Sequence, residues 1–299
     1  MDSNLVIERE KDYIDKISDQ YNYDSNIRHL LYIIIPAFII KYGVSKEKLI
    51  LNTFRDIRIK ISPKESRYVR AYYYSMPIKK DSVFTTRKYM VIQNYNKIGL
   101  VELLDDLVHE FNHAINSYVN EVIVSDYLYL RTGLSLRKYN KSNLSFVDKD
   151  KSFILEEIIN TKQTEDIINI IKGFDPNNRS ISNTIYSINS ETNHKYNSDS
   201  YYLQSYICRE ILNNRTFIST LENLRINGEI YDIDRWFDDI MGKKGKYREL
   251  IDLLYEVYNL EIEYSKRKYF KKMVLSKIRD NYRSIMRIIE TFNNNVIFR

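Results

Sequence analysis

Apolar residues recur at helical spacing over 4–19 and 26–42, where they would line one face of each helix. Asp24 or Ser25 stands where a side-chain oxygen can cap the second. The densest apolar run, LLYIIIPAFII at 30–40, lies between His29 and Lys41. A bilayer needs about 20 such residues, so the run is expected to be a buried helix interrupted at Pro36. One more helical turn is expected at 46–53. The texture then changes. Segments 55–62, 68–75 and 88–95 alternate apolar and polar residues, which predicts antiparallel strands with a tight turn near 79–82. The helical period returns over 98–119. Strand texture resumes over 122–147, with a turn at Thr132 and Gly133, and 152–172 is helical again. The Asn- and Ser-rich stretch 173–198 has little periodicity and is expected to be a long surface loop. From residue 199 several helices follow, with breaks near Gly228 and between Gly242 and Gly245.

Composition narrows the class. A chain of 299 residues allows one elaborated domain or two small ones. Seven Gly and four Pro suit long helices rather than a repetitive or disordered chain. A single cysteine, Cys208, excludes an internal disulfide framework and a Cys-rich zinc module, and its apolar setting predicts a buried structural thiol. The 27 tyrosines read as compositional drift. The N-terminal residues mix charges of both signs without the apolar stretch of a signal peptide. A cytoplasmic protein is therefore expected, with leaderless export left open. The expected organisation is N-terminal helices plus antiparallel strands (1–97), a site-bearing core (98–172), the long loop (173–198) and a helical C-terminal region (199–299).

The net charge of +6 is local. Residues 266–287 carry nine Lys and Arg against one acid, Asp280. Their apolar positions, from Phe270 to Ile285, fall at helical spacing. The segment reads as a solvated helix face or, alternatively, as a patch for nucleic acid, an anionic membrane or an acidic partner. No base-reading motif accompanies it.

The chemistry sits at His109-Glu110-Phe111-Asn112-His113, an H-E-x-x-H pattern within a helical stretch. One helical turn separates the histidines, so both imidazoles can reach one Zn²⁺. Glu110 is rotated about 100° from His109 and can face a water beside the metal without binding it. A catalytic zinc needs a third protein ligand and one open position. Asn116 and Val119 stand where an extended motif would place Gly and a third His. A carboxylate from the helix at 152–172 is the other solution. Glu157, Asn160, Thr161 and Thr164 form a polar stripe flanked by Ile154, Ile158 and Ile168, which favours Glu157 over the neighbouring Glu156. Asp105 and Asp106 either orient an imidazole or are solvated helix charges. His29 reads as a helix-surface or core-edge residue.

His109-Glu110-x-x-His113, followed by strands and then Leu155-Glu156-Glu157 on a helix, resembles the gluzincin group of zinc metallopeptidases over about 95–165. The resemblance implies an α+β, zincin-like core with a small antiparallel sheet among many helices. It implies zinc held by His109, His113 and Glu157, with Glu110 as general base acting on a peptide or protein substrate; the alternative is a non-catalytic zincin-fold protein acting as a regulator or toxin. It also implies an edge strand that aligns the substrate, for which 88–95 is the candidate. Thermolysin-like members carry Asp four residues after the ligand Glu; here that position is Thr161. Related enzymes stabilise the oxyanion with a downstream Tyr or His, for which His194 and Tyr201, with Tyr196 and Tyr202, are the candidates.

Overall fold

The computed structural model describes residues 3–64, 70–81, 83–120, 126–191, 211–227, 233–266 and 271–297. The fold is α+β. Its chain divides into two compact units interleaved in sequence, 1–115 with 160–200 and 116–159 with 201–299.

The first unit opens with α1 (Ser3–Tyr21), α2 (Ser25–Tyr42) and α3 (Glu47–Asp56). Asp24 caps α2 by accepting the Ile27 amide at 3.0 Å. Gly43, at φ +84°, ends it by donating to the Ile39 carbonyl. The expected interruption at Pro36 does not occur, and α2 runs through it. Ile33 to Ile35 and Ala37 to Ile39 are wholly buried. This packing offsets the hydrogen bond that a helical proline forgoes. Among the described residues, no single helix is long and apolar enough to cross a membrane.

A three-stranded sheet follows: β1 (Ile57–Ile61), β2 (Ala71–Lys80) and β3 (Val83–Ile92), in the order β1-β3-β2. Two expectations are corrected here. The sheet is mixed, because β1 pairs with β3 in parallel while β2 and β3 form an antiparallel hairpin. The segment proposed as an edge, 88–95, is largely β3 and is central. The edge that adjoins the next helix, α4 (Leu100–Ile115), is β2. In the β2–β3 register, the Gln93 amide donates to the Arg70 carbonyl. Tyr73, Ser75 and Pro77 therefore turn their backbone polar groups away from β3. Proline is tolerated at such an outward position because no ladder bond is lost.

α4 ends at Ile115, four residues short of the helical expectation, and the chain enters β4 (Ser117–Asn120). With β5 (Tyr127–Thr132), β6 (Ser135–Asn140) and β7 (Phe146–Lys149), it builds an antiparallel meander in the second unit. α5 (Phe153–Lys172) is one uninterrupted helix whose first two turns belong to the second unit and the rest to the first. The expected loop at 173–198 contains a helix, α6 (Ser182–Glu191), with Ile181, Ile185 and Ile188 buried at helical spacing. The second unit is completed by α7 (Arg215–Asn227), α8 (Ile233–Met241), α9 (Lys246–Lys266) and α10 (Lys271–Ile297). Their core includes Phe217, Phe237 and Phe292, with the Phe237 and Phe292 rings stacked at 4.8 Å. The apolar side of α10, with Ile285, Ile288 and Ile289, is spent in this core. Lys272, Lys277, Arg279, Arg283 and Arg287 face solvent.

Candidate metal centre

α4 is fixed by the aromatic residue inside its own motif. Phe111 lies against Phe54 of α3, with ring centroids 4.0 Å apart, and Phe54 meets Phe38 of α2 edge-on at 5.6 Å. Asn112 is wholly buried and accepts the Tyr42 hydroxyl at 2.8 Å. Helix residues two positions apart lie about 200° from each other, so seating Phe111 in the core turns His109 and His113 the opposite way. Their rings stand 5.0 Å apart at 79°. His113 is buried and His109 half-buried.

α5 lies alongside. The Asn160 side-chain amide donates to the His109 backbone carbonyl at 2.9 Å. The Thr164 hydroxyl bonds the Asn160 carbonyl at 2.8 Å and accepts from the Asn112 amide at 3.4 Å. The polar stripe expected on this helix is thus its seam with α4, made within the first unit. One turn earlier on the same helix stands Glu157, 9% exposed. One ligand atom each from His109, His113 and Glu157 lie within 4.8 Å of one another. Donors about 2.1 Å from a tetrahedral ion sit about 3.4 Å apart, a spacing of the same order. Two imidazoles and one carboxylate are the donors that zinc takes. The residues present fit the ion.

Glu156 is held elsewhere. It is 1% exposed, and its carboxylate accepts the Arg225 Nε at 2.8 Å and the Leu134 amide at 2.9 Å. Arg225 Nη2 also bonds it.

Glu110 is buried, and its Oε2 accepts the outward-facing amide of Tyr73 at 2.6 Å. This bond ties the candidate base to β2. One turn further along α4, the Lys88 ammonium of β3 donates to the Ala114 carbonyl at 3.1 Å, where a cation complements the helix C-terminus. Burial lowers the Lys88 pKa to about 8. Asp105 and Asp106 are both buried, which corrects the solvated reading. Arg70 Nη2 reaches Asp106 at 3.0 Å and Asp105 at 3.7 Å. Burial outweighs that cation and raises the Asp106 carboxyl to about 7.

His194, Tyr196, Tyr201, Tyr202 and Cys208 lie outside the described residues. Sequence reasoning missed Tyr73, Lys88, Arg70 and Arg225. Tyr73 acts through its backbone, which carries no residue signature. The cations meet their partners across separations of 26 to 69 residues. Comparison of the chain with protein-family models, curated proteins and solved structures finds no match.

Proposed function

We propose that the chain is a zinc-dependent peptidase of the zincin type. The observation that carries this reading is the convergence of His109, His113 and Glu157 ligand atoms within 4.8 Å of one another, with Glu110 adjoining on the same helix. His109, His113 and Glu157 would hold the ion and leave one position open. A zinc ion there supplies Lewis acidity, which lowers the pKa of water toward about 7 and polarises a carbonyl. The chain's own part is proton transfer. The Glu110 carboxylate takes a proton from the attacking water and returns it to the leaving amine nitrogen. The Tyr73 amide holds the carboxylate in one orientation through Oε2 while it does so. The buried seam between α4 and α5 keeps the histidine-bearing helix in place.

The test is cleavage of an unbiased peptide library with and without a chelator. Metal-dependent cleavage that disappears in Glu110→Gln supports the reading. A zinc-loaded, folded chain that cleaves nothing overturns it.

A further inference from the structure

The tandem Glu156-Glu157 poses a problem of rotation. Successive helical residues point about 100° apart, and both side chains are carboxylates of the same length. A rotation of α5 by about 100° would bring Glu156 to the heading that Glu157 holds and turn Glu157 away. Something must therefore index the helix. Glu156 is gripped on three sides by groups of the second unit. Arg225, 1% exposed and carried by α7, donates to both its oxygens, with Nε at 3.0 and 2.8 Å. The Leu134 amide donates to Oε2 at 2.9 Å. Gly133, at φ +55°, lets the β5–β6 turn approach so closely that a Cβ there would collide with the Glu156 carboxylate. A left-handed turn and a contact without a side chain both demand glycine at this point.

Stability alone explains this arrangement poorly. Burying two charges costs several kcal/mol for each ion, and apolar pairs of similar volume often do as well or better (about 1–4 kcal/mol). What a bidentate guanidinium adds is direction, because its fork donates to a carboxylate in one plane. We propose that Arg225 is a positioning residue for the metal centre. By locking Glu156 onto the β5–β6 turn, it sets the rotation of α5 that aims Glu157 at the ion. This inference rests on the zinc reading above and adds to it the residue that selects between the two carboxylates.

The test compares three full-length proteins: wild type, Arg225→Lys, and the double variant Glu156→Met/Arg225→Met. The double variant removes both charges together and leaves neither buried alone. Zinc affinity is measured by competition with a chromophoric chelator, and the cobalt-substituted proteins are compared by visible absorption. The proposal expects the double variant to bind zinc about 10- to 100-fold more weakly, with an altered cobalt spectrum, and Arg225→Lys to fall between. A merely structural pair would shift the melting temperature and leave both metal readouts unchanged. That result overturns the proposal while sparing the metal centre. Should the double variant fail to fold, the same two readouts on Arg225→Lys decide, and wild-type values there overturn it. If wild type itself binds no zinc, the metal reading fails and the positioning role falls with it.

Discussion

The amide of Tyr73 donates to the carboxylate of Glu110 at 2.6 Å, so the candidate base is also the partner of an outward-facing backbone group on β2. Glu110 thus has a structural duty that two substitutions separate. Glu110→Gln keeps a carbonyl oxygen for Tyr73 but cannot accept a proton. It is expected to lose about 10²- to 10⁴-fold in cleavage rate with little change in stability. Glu110→Ala abolishes cleavage as well and removes the carboxylate that the Tyr73 amide donates to, at a cost of about 1–3 kcal/mol. Library cleavage and urea unfolding of the two variants, side by side, check both expectations.

Zinc should stabilise the folded chain by mass action. At a free concentration one hundred times its dissociation constant, the gain is about 2.7 kcal/mol. The melting temperature is expected to rise with added zinc in wild type and to stay level in His113→Ala. A rise of equal size in that variant would place the binding elsewhere.

Lys88 should give stability an unusual rise at alkaline pH. Its folded pKa of about 8 lies below the ordinary value of 10.5. Between the two, the unfolded chain holds a proton that the native chain has released, so stability increases with pH. The window is best read from pH 8 to about 9.5, before tyrosines ionise. Urea midpoints across it should climb in wild type, and in Lys88→Met that part of the slope should vanish.

Asp106 works in the opposite sense. Its carboxyl is raised from 3.8 to about 7 by burial, despite Arg70. The native chain therefore holds a proton that the unfolded chain releases between those values, and stability falls as pH rises from about 4 to about 7. Asp106→Asn should flatten this decline, which unfolding midpoints at pH 4.5, 5.5 and 6.5 would show.

Much of the architecture was legible because its periodicities are strong. The helices at the N-terminus, the motif helix and the helix bearing Glu157 follow from apolar spacing, as does the strand texture between them. Three features were not. β1 joins β3 in parallel, and no alternation pattern distinguishes a parallel from an antiparallel neighbour. α6 is hidden by Asn and Ser, whose local propensities argue for a loop, while Ile181, Ile185 and Ile188 outvote them once buried. α2 continues through Pro36 because its surroundings are apolar on every side. At the candidate site, the three positions that converge, His109, His113 and Glu157, were readable from spacing and from one polar stripe. The partners of the neighbouring carboxylates Glu110, Asp106 and Glu156 were not, since a backbone amide and distant arginines leave no local mark.

Phe111 and Asn112 fill the two letters that the motif leaves blank, and both are committed to the interior through Phe54 and Tyr42. Drift at those positions would swing the imidazoles off their heading while every named letter of the pattern still stood. The pentapeptide thus carries its own seat as well as its chemistry.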